Sequence, residues 1–459
     1  MKTPEELKQE RGKLFNDFYN NINPERMPVT MTIPLYLVAQ LYGVDPREFQ
    51  YNYGMLSDQV LEVIDRIYSD TCPFNPIGVT SRPPMYYKLL GSQSFKMSES
   101  GFVQHPEVVG MLDTEYDELI ADPIKCIMDH ILPRQYASLD LKNDPYKALI
   151  AFNMADMSSA QDGAAMIPAL GKAKAKNGYY AGAPAGSGGF TAAPLDFIAD
   201  QLRSFSGMSA DLRRKRDLIK EACERLLPFM YKTGMPANPH PEGAVGMPLH
   251  MPPFMRTKDA EELWFPTFKY MLEQFAARGS RASLFVEADW TRFIDCLYDL
   301  PASTVLKCEN GDPKEFKDRL GDKMILSAMY PLSLVKMGTA QECKDKAKEL
   351  LDIMMPGGGY IFNFDKVPLT LGDVDMNNYA ELSQFLYEYG RFDNPGKPFG
   401  KKLNSENFTK DESFDKPLES EYLANLMKDV VVPTDNPLVQ KRYNTYSDNF
   451  SVKLLKMFL

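Results

Sequence analysis

The sequence predicts an α/β protein, most economically a (β/α)8 TIM barrel with N-terminal helices, an insertion and a C-terminal extension. An open doubly wound sheet is the alternative architecture. Three observations carry this. Four strand-like apolar runs in the second half are each followed by a helical pattern, at spacings of roughly 20–40 residues. Those runs are nearly continuous rather than alternating, as strands covered on both faces must be. With 459 residues and 44% hydrophobic content, the chain has the apolar side chains for one large core.

The elements follow in order. The start, "MKTPEELKQERGKLF", reads as a charged helix and lacks the apolar segment of a signal peptide. "PVTMTI" (28–33), "GYYAGA" (178–183) and "GMPLHM" (246–251) read as early strands. The section 70–150 is irregular, proline-rich at first, and reads as an insertion or cap. Residues 209–230 and 257–279 form long amphipathic patterns. "ASLFVEA" (282–288) is a buried strand and "DWTRFIDCLYDL" the helix after it. "STVLKCE" (303–309) is the next strand, followed by a helix over 312–320 with Asp312 as N-cap, Pro313 at the first helical position and Glu315 at the capping-box position. "DKMILSAMY" (322–330) is the third strand, and 339–355 a helix whose T-x-x-E box runs from Thr339 to Glu342. "GYIFNFD" (359–365) is the fourth, with a helix from about Met376 to Tyr389. The glycines around Gly357 end the preceding helix, because glycine tolerates the left-handed backbone of a helix C-terminus. The stretch 391–459 is polar and reads as a C-terminal extension.

Composition narrows the function. A formal net charge of −10 and a pI near 5.2 argue against nucleic acid or an anionic membrane as the main partner. No uninterrupted apolar run reaches about 18 residues, so no transmembrane helix is expected, and a cytoplasmic protein is. Six cysteines without a C-x-x-C pair suggest reduced thiols. Only four histidines are present, so a three-histidine site is not expected and a metal would rely on carboxylates or cysteine.

In either architecture the ligand site lies at the carboxyl ends of the strands. Three strand ends carry an acid: Glu287, Glu309 and Asp365. Converging carboxylates repel unless a cation or protons compensate, and a divalent metal is one remedy. The plainer reading is helix capping, as at Asp289 and Asp312. His250 ends a strand and is the best-placed histidine for substrate contact. Strand alternation turns Cys308 into the core. "AGAPAGSGG" (181–189) reads either as a flexible loop or as a place for a flat ligand to approach the backbone, at Gly188 and Gly189; it lacks the G-K-[ST] ending of a P-loop. The many Met, Phe and Tyr residues suit a pocket for a flat apolar ligand.

"NPERMPV" (23–29), "GDKMILSAMYPLSLVKMGTAQECKDKAKELL" (321–351) and "PGGGYIFNFDKVPL" (356–369) resemble the uroporphyrinogen decarboxylase superfamily. The resemblance is clear over about 280–390 and patchy over about 10–250. It implies a (β/α)8 barrel. The Arg-rich segment with which the decarboxylases grip substrate carboxylates has no counterpart; that stretch begins "PVTMTIPLYLVAQLYG". This weakens a porphyrinogen substrate.

The thiol-methylating branch holds zinc with H-x-C and a later Cys. Here the first region matches "FVEAD" (285–289), placing Glu287 near the cysteine, and the later one "YIFNFD", placing Asp365 there. Oxygen ligands make a harder, more electrophilic metal, suited to polarising an ether oxygen. The sequence therefore looks most like the methyltransferase component of corrinoid-dependent O-demethylases, which pass a methyl group from an aryl methyl ether to a separate corrinoid protein. "MDHILP" (128–133) does not match the cobalt-binding D-x-H-x-x-G motif, so the cobalamin would arrive on that partner.

The resemblance implies zinc, although an all-oxygen site could hold another cation or none; the strand-end acids Glu287, Glu309 and Asp365 are the candidate metal ligands or acid–base groups, and Tyr330, at the end of the third strand, is a candidate proton donor. Homodimers are common in the superfamily. The rival readings are a tetrapyrrole decarboxylase and a non-catalytic barrel that binds a tetrapyrrole or corrinoid protein.

Overall fold

Nearly continuous apolar strands need cover on both faces, and the second half of the chain supplies it by alternating strands with helices. The computed structural model describes residues 2–75, 82–428 and 436–459. Its centre is a six-stranded, wholly parallel sheet, so the chain is a mixed α/β protein. Two short parallel strands come first, β1 (Ile33–Pro34) and β2 (Phe74–Asn75), paired with each other. An antiparallel hairpin follows, β3 (Lys96–Met97) with β4 (Val103–Gln104). The main sheet contains β5 (Gly189–Phe190), β6 (Ala244–Leu249), β7 (Arg281–Asp289), β8 (Val305–Asn310), β9 (Ile325–Ala328) and β10 (Tyr360–Ile361), side by side in chain order.

A helix packs between each pair of consecutive strands from β5 onward. Phe265–Ala277 lies between β6 and β7, Pro313–Leu320 between β8 and β9, and Ala340–Met354 between β9 and β10. The predicted starts hold. The Asp312 carboxylate accepts the Glu315 N–H at 2.8 Å. Thr339 and Glu342 form a reciprocal capping box. The final predicted helix is Met376–Tyr389.

One face of the sheet is core: Leu284, Val286, Leu306, Cys308 and Leu326 are all buried. Cys308 is therefore a core thiol, as alternation requires, and burial pushes its pKa up. The other face is only partly buried at Gly246, Pro248, Phe285 and Lys307, so the protein does not fill it.

Several elements differ from the sequence reading, each for a local reason. In 28–33 the backbone N–H groups go to side chains: Val29 to Asp70 (2.8 Å), Met31 to Ser69 (3.2 Å) and Thr32 to the Tyr379 hydroxyl (3.1 Å). Only Ile33–Pro34 pairs as strand. In 178–183, Gly178 takes φ +57° and ends the helix Ile167–Asn177, and the strand forms later, at Gly189. The pattern 209–230 breaks at Lys215 into helices Phe205–Arg214 and Arg216–Gly234. The fourth legible strand shrinks to Tyr360–Ile361, because the Asn363 side chain takes the Phe364 N–H at 2.9 Å. Gly357, Gly358 and Gly359 all lie at positive φ, as the helix-to-strand turn demands.

The N-terminal segment is pinned by a buried carboxylate. Asp70 is fully buried and receives the Arg26 guanidinium at 2.6 and 2.7 Å, Arg11 at 3.2 Å and the Tyr68 hydroxyl at 3.0 Å. Within 391–459, helices Glu421–Lys428 and Pro437–Leu455 form, and the Met457 carbonyl accepts the buried Tyr136 hydroxyl at 2.7 Å. Among the described residues no helix is long and apolar enough to cross a membrane.

Candidate active site

The carboxyl ends of β6 to β10 bring the predicted acids to one edge of the sheet. Each takes a different partner. Glu287, at the end of β7, stands 3.1 Å from His250 Nε2. Glu309, at the end of β8, accepts the Ala288 N–H at 2.6 Å and pairs with Lys366 at 3.1 Å. Asp365 accepts the N–H of Leu332 at 2.9 Å, at the start of helix Leu332–Met337, and that of Lys366 at 2.7 Å. Asp365 is thus a helix cap, the plainer of the two expectations for a strand-end acid. Asp289 caps in the same way, accepting the Thr291 N–H at 2.8 Å.

These acids do not form a metal ligand set. Among the described residues no group of three or more His, Cys, Asp or Glu side chains is placed to hold a metal ion. The donor chemistry gives the reason: Glu309 and Asp365 already accept backbone N–H groups, and the compensating cation is Lys366. Its pKa is raised by the Glu309 hydrogen bond first, with Asp365 and Glu287 adding to it. The zinc expected on Glu287, Glu309 and Asp365 therefore does not fit the side chains as they stand.

Glu309 also braces strained backbone. Ala288 has φ +61°, costly for a residue with a Cβ, and its N–H is the one Glu309 holds. The register between β7 and β8 slips between Val286 and Asp289, so this is a bulge at the strand end. Ala328 and Met329, ending β9, are likewise left-handed. A cavity of about 260 Å³ adjoins this edge, lined by Glu309, Asn310, Met329, Pro331, Ile353 and Asp365.

His250 is the centre of the remaining chemistry. Its Nδ1 is hydrogen-bonded to Asp200, and its Nε2 faces Glu287. Below it, buried Asp196 accepts the N–H groups of His250 (3.1 Å) and Met251 (3.1 Å) and the Trp264 indole N–H (2.8 Å). Asp196 precedes, and Asp200 lies in, a π-helical segment, Phe197–Arg203, a distortion found frequently at functional sites. Burial disfavours charge on His250, but the Asp200 hydrogen bond, with Asp200, Asp196 and Glu287 as neighbouring charges, outweighs it and pushes the pKa up to about 9. At neutral pH the ring is an imidazolium. Burial pushes Asp196 up to about 6. Phe205 lies 6.5 Å from His250, centroid to centroid, and exposed Phe254 lies 6.0 Å from Phe205.

Two other expected site residues, Tyr330 and Gly189, meet a structural use. Tyr330 is fully buried, and its hydroxyl donates to the Cys343 carbonyl at 2.9 Å, so that proton is spent on a helix and not offered at the strand ends. Gly189 is required by packing: a Cβ there would strike the Gly234 carbonyl. Gly188 leads into the same short strand, with the Ala244 carbonyl 3.6 Å from where its Cβ would be. Asp196, Asp200 and Lys366 were missed. A D-x-x-x-D spacing on a helix after a strand, and a lysine directly following the strand-end Asp365, were the available signals.

No protein-family model matches the chain, and no curated protein matches it.

Proposed function

We propose that this chain is a methyltransferase that takes the methyl group of a methoxylated aromatic and passes it to the cobalt of a separate corrinoid protein. The resemblance over about 280–390 supports the reaction class. The observation that carries the reading is His250: a charged imidazole fixed by Asp200, with its second nitrogen at the strand ends beside Glu287. That is a proton donor where an ether oxygen would leave.

The reading includes a closed (β/α)8 barrel of the uroporphyrinogen decarboxylase type. Among the described residues, and set apart from the β3–β4 hairpin, the parallel strands number eight, two in one sheet and six in the other. Support for closure comes from the seams. The Tyr180 N–H reaches the Asp70 carbonyl at 2.7 Å, next to β2 and ahead of β5. The Phe362 N–H reaches Met27 Sδ at 3.2 Å, linking the end of β10 to the segment before β1.

The proposed step balances with no outside oxidant or reductant: the electron pair of the new carbon–cobalt bond comes from cobalt(I), which is formally oxidised by two. The methyl group leaves as a cation equivalent and is accepted by reduced cobalt(I), the nucleophile that the partner's corrinoid supplies. The C–O electron pair stays on the aryl oxygen. His250 Nε2–H donates to that oxygen as charge develops, where stabilisation lowers the barrier most. Asp200 holds Nδ1–H and so fixes the ring; Glu287 yields its place beside Nε2 to the substrate oxygen. Lys366 adds positive potential at the same edge. The phenol departs neutral and His250 recovers its proton from water. No metal bound to this chain takes part in the step.

The test is incubation with a reduced corrinoid protein and a panel of methoxyaromatics, following the cobalt spectrum. Wild type should convert the spectrum with at least one donor, and His250→Gln should slow it about 10²-fold or more. No conversion with any donor would favour the non-catalytic barrel. Carbon dioxide release from uroporphyrinogen would favour the decarboxylase.

A further inference from the structure

The sheet face that ends in His250, Glu287 and Glu309 continues inward to a row that the step above does not use. In register, β6 to β9 set Pro248, Phe285, Lys307 and Ser327 side by side. Each lies two residues before a rim residue, so the row sits about 6.6 Å deeper. Phe285 and Lys307 are only partly buried. Phe190, 44% exposed, lies against Gly246 on this face: a Cβ on Gly246 would meet its ring at 3.3 Å. Two aromatic side chains thus border this partly open face.

Burial lowers the Lys307 pKa. Among the described residues its ammonium has no hydrogen bond or ion pair. The nearest acid along its strand, Glu309, is taken by Ala288 N–H and Lys366. Next to it, Ser327 is 1% exposed, and its hydroxyl makes no hydrogen bond among the described residues. Neither atom is among the buried polar atoms left without a partner, so both open onto the space in front of this face, and two adjacent unused donors there form an incomplete set.

We propose that Lys307 and Ser327 form a carboxylate subsite, and that its ligand is a planar aromatic monocarboxylate whose ring lies along Phe285 and Phe190. The ammonium supplies the charge-assisted bond and the hydroxyl the second donor. One cation matches one negative charge; a phosphate dianion would meet too few donors and the nearby Glu309. The subsite rests on its own geometry. Joined to the methyl-transfer reading, on which this last step depends, it places an acid on the methyl donor, across the ring from the methoxyl group at the rim.

The test is calorimetric binding to the full chain, without any corrinoid protein, so its outcome is separate from that of methyl transfer. The probes are 4-methoxybenzoate, its neutral methyl ester and inorganic phosphate. Wild type should bind the acid about tenfold or more tighter than the ester and bind phosphate more weakly than either. Lys307→Met should lose acid binding by a similar factor and keep ester binding, while Lys307→Arg keeps part of the preference. Equal binding of acid and ester by wild type would overturn the proposal, and that comparison decides even where Lys307→Met fails to fold. Preferred binding of phosphate, or undiminished acid binding by a folded Lys307→Met, would overturn it as well.

Discussion

Asp200→Asn should uncouple His250 from its charge. An imidazole ordinarily titrates near pH 6.5, whereas His250 is pushed up to about 9. That gap corresponds to about 3 kcal/mol of preference for the imidazolium in the folded chain, opposed by burial and supplied first by Asp200. Because the folded-state value is the higher, this stabilisation is fully present below about pH 6.5 and is lost as pH rises through about 9. Asp196, pushed up to about 6, acts with the same sign: the fold holds its proton longer, and stability falls between about pH 4 and 6. Wild type should therefore lose stability steadily on the alkaline side, and Asp200→Asn should flatten the upper part of that curve. Proton NMR of the ring gives the direct reading. The chain has four histidines, and the His250 signal is the one missing from His250→Gln. It should titrate near 9 in wild type and fall back toward the ordinary range in Asp200→Asn. Titration near 6.5 in wild type, or an unchanged value in the variant, would refute the reasoning.

Other perturbations separate structural from chemical roles. Glu309→Ala frees the left-handed Ala288 and should cost about 1–3 kcal/mol in denaturant unfolding, whereas Glu309→Gln, which still accepts that N–H, should cost less. Asp365→Ala should lose about 1 kcal/mol of cap energy and leave methyl transfer unchanged; a large rate loss would return Asp365 to the chemistry. Gly358→Ala should cost clearly more than Gly357→Ala, since at φ +90° its Cβ would land on the Asn23 side chain, whereas Gly357→Ala, with open space at φ +76°, should cost only about 1 kcal/mol. Equal thermal shifts for the two glycine variants would contradict the turn geometry.

The second half of the fold was legible because its signals are local. Asp312, Thr339 and the glycines at 357–359 mark helix ends through short-range hydrogen bonds and φ preferences, and they act as written. The first half was not, because distant side chains decide its backbone pairing. Nothing near "PVTMTI" announces that Asp70, Ser69 and Tyr379 will take its N–H groups. The arginine in "NPERMPV" serves that same buried Asp70. For the site, topology was enough to put His250, Glu287 and Glu309 at one edge. It could not say which acid would be engaged by backbone, and so Asp365 became a cap and Glu309 a brace. The need for a compensating cation was legible; that a lysine one residue beyond Asp365 meets it depends on a side-chain direction that strand position does not fix. Tyr330 was placed at the right strand end, but a strand-end position does not fix where a hydroxyl points, and its proton went to Cys343.

The proposed methyl transfer depends on His250 as the group that protonates the departing aryl oxygen. The rate of cobalt methylation from a methoxyaromatic, compared between wild type and His250→Gln at matched pH, measures this most directly. A reaction with wild type that falls about 10²-fold or more in the variant is the predicted result. Equal rates in the two proteins, or no methylation by wild type with any donor, would contradict it.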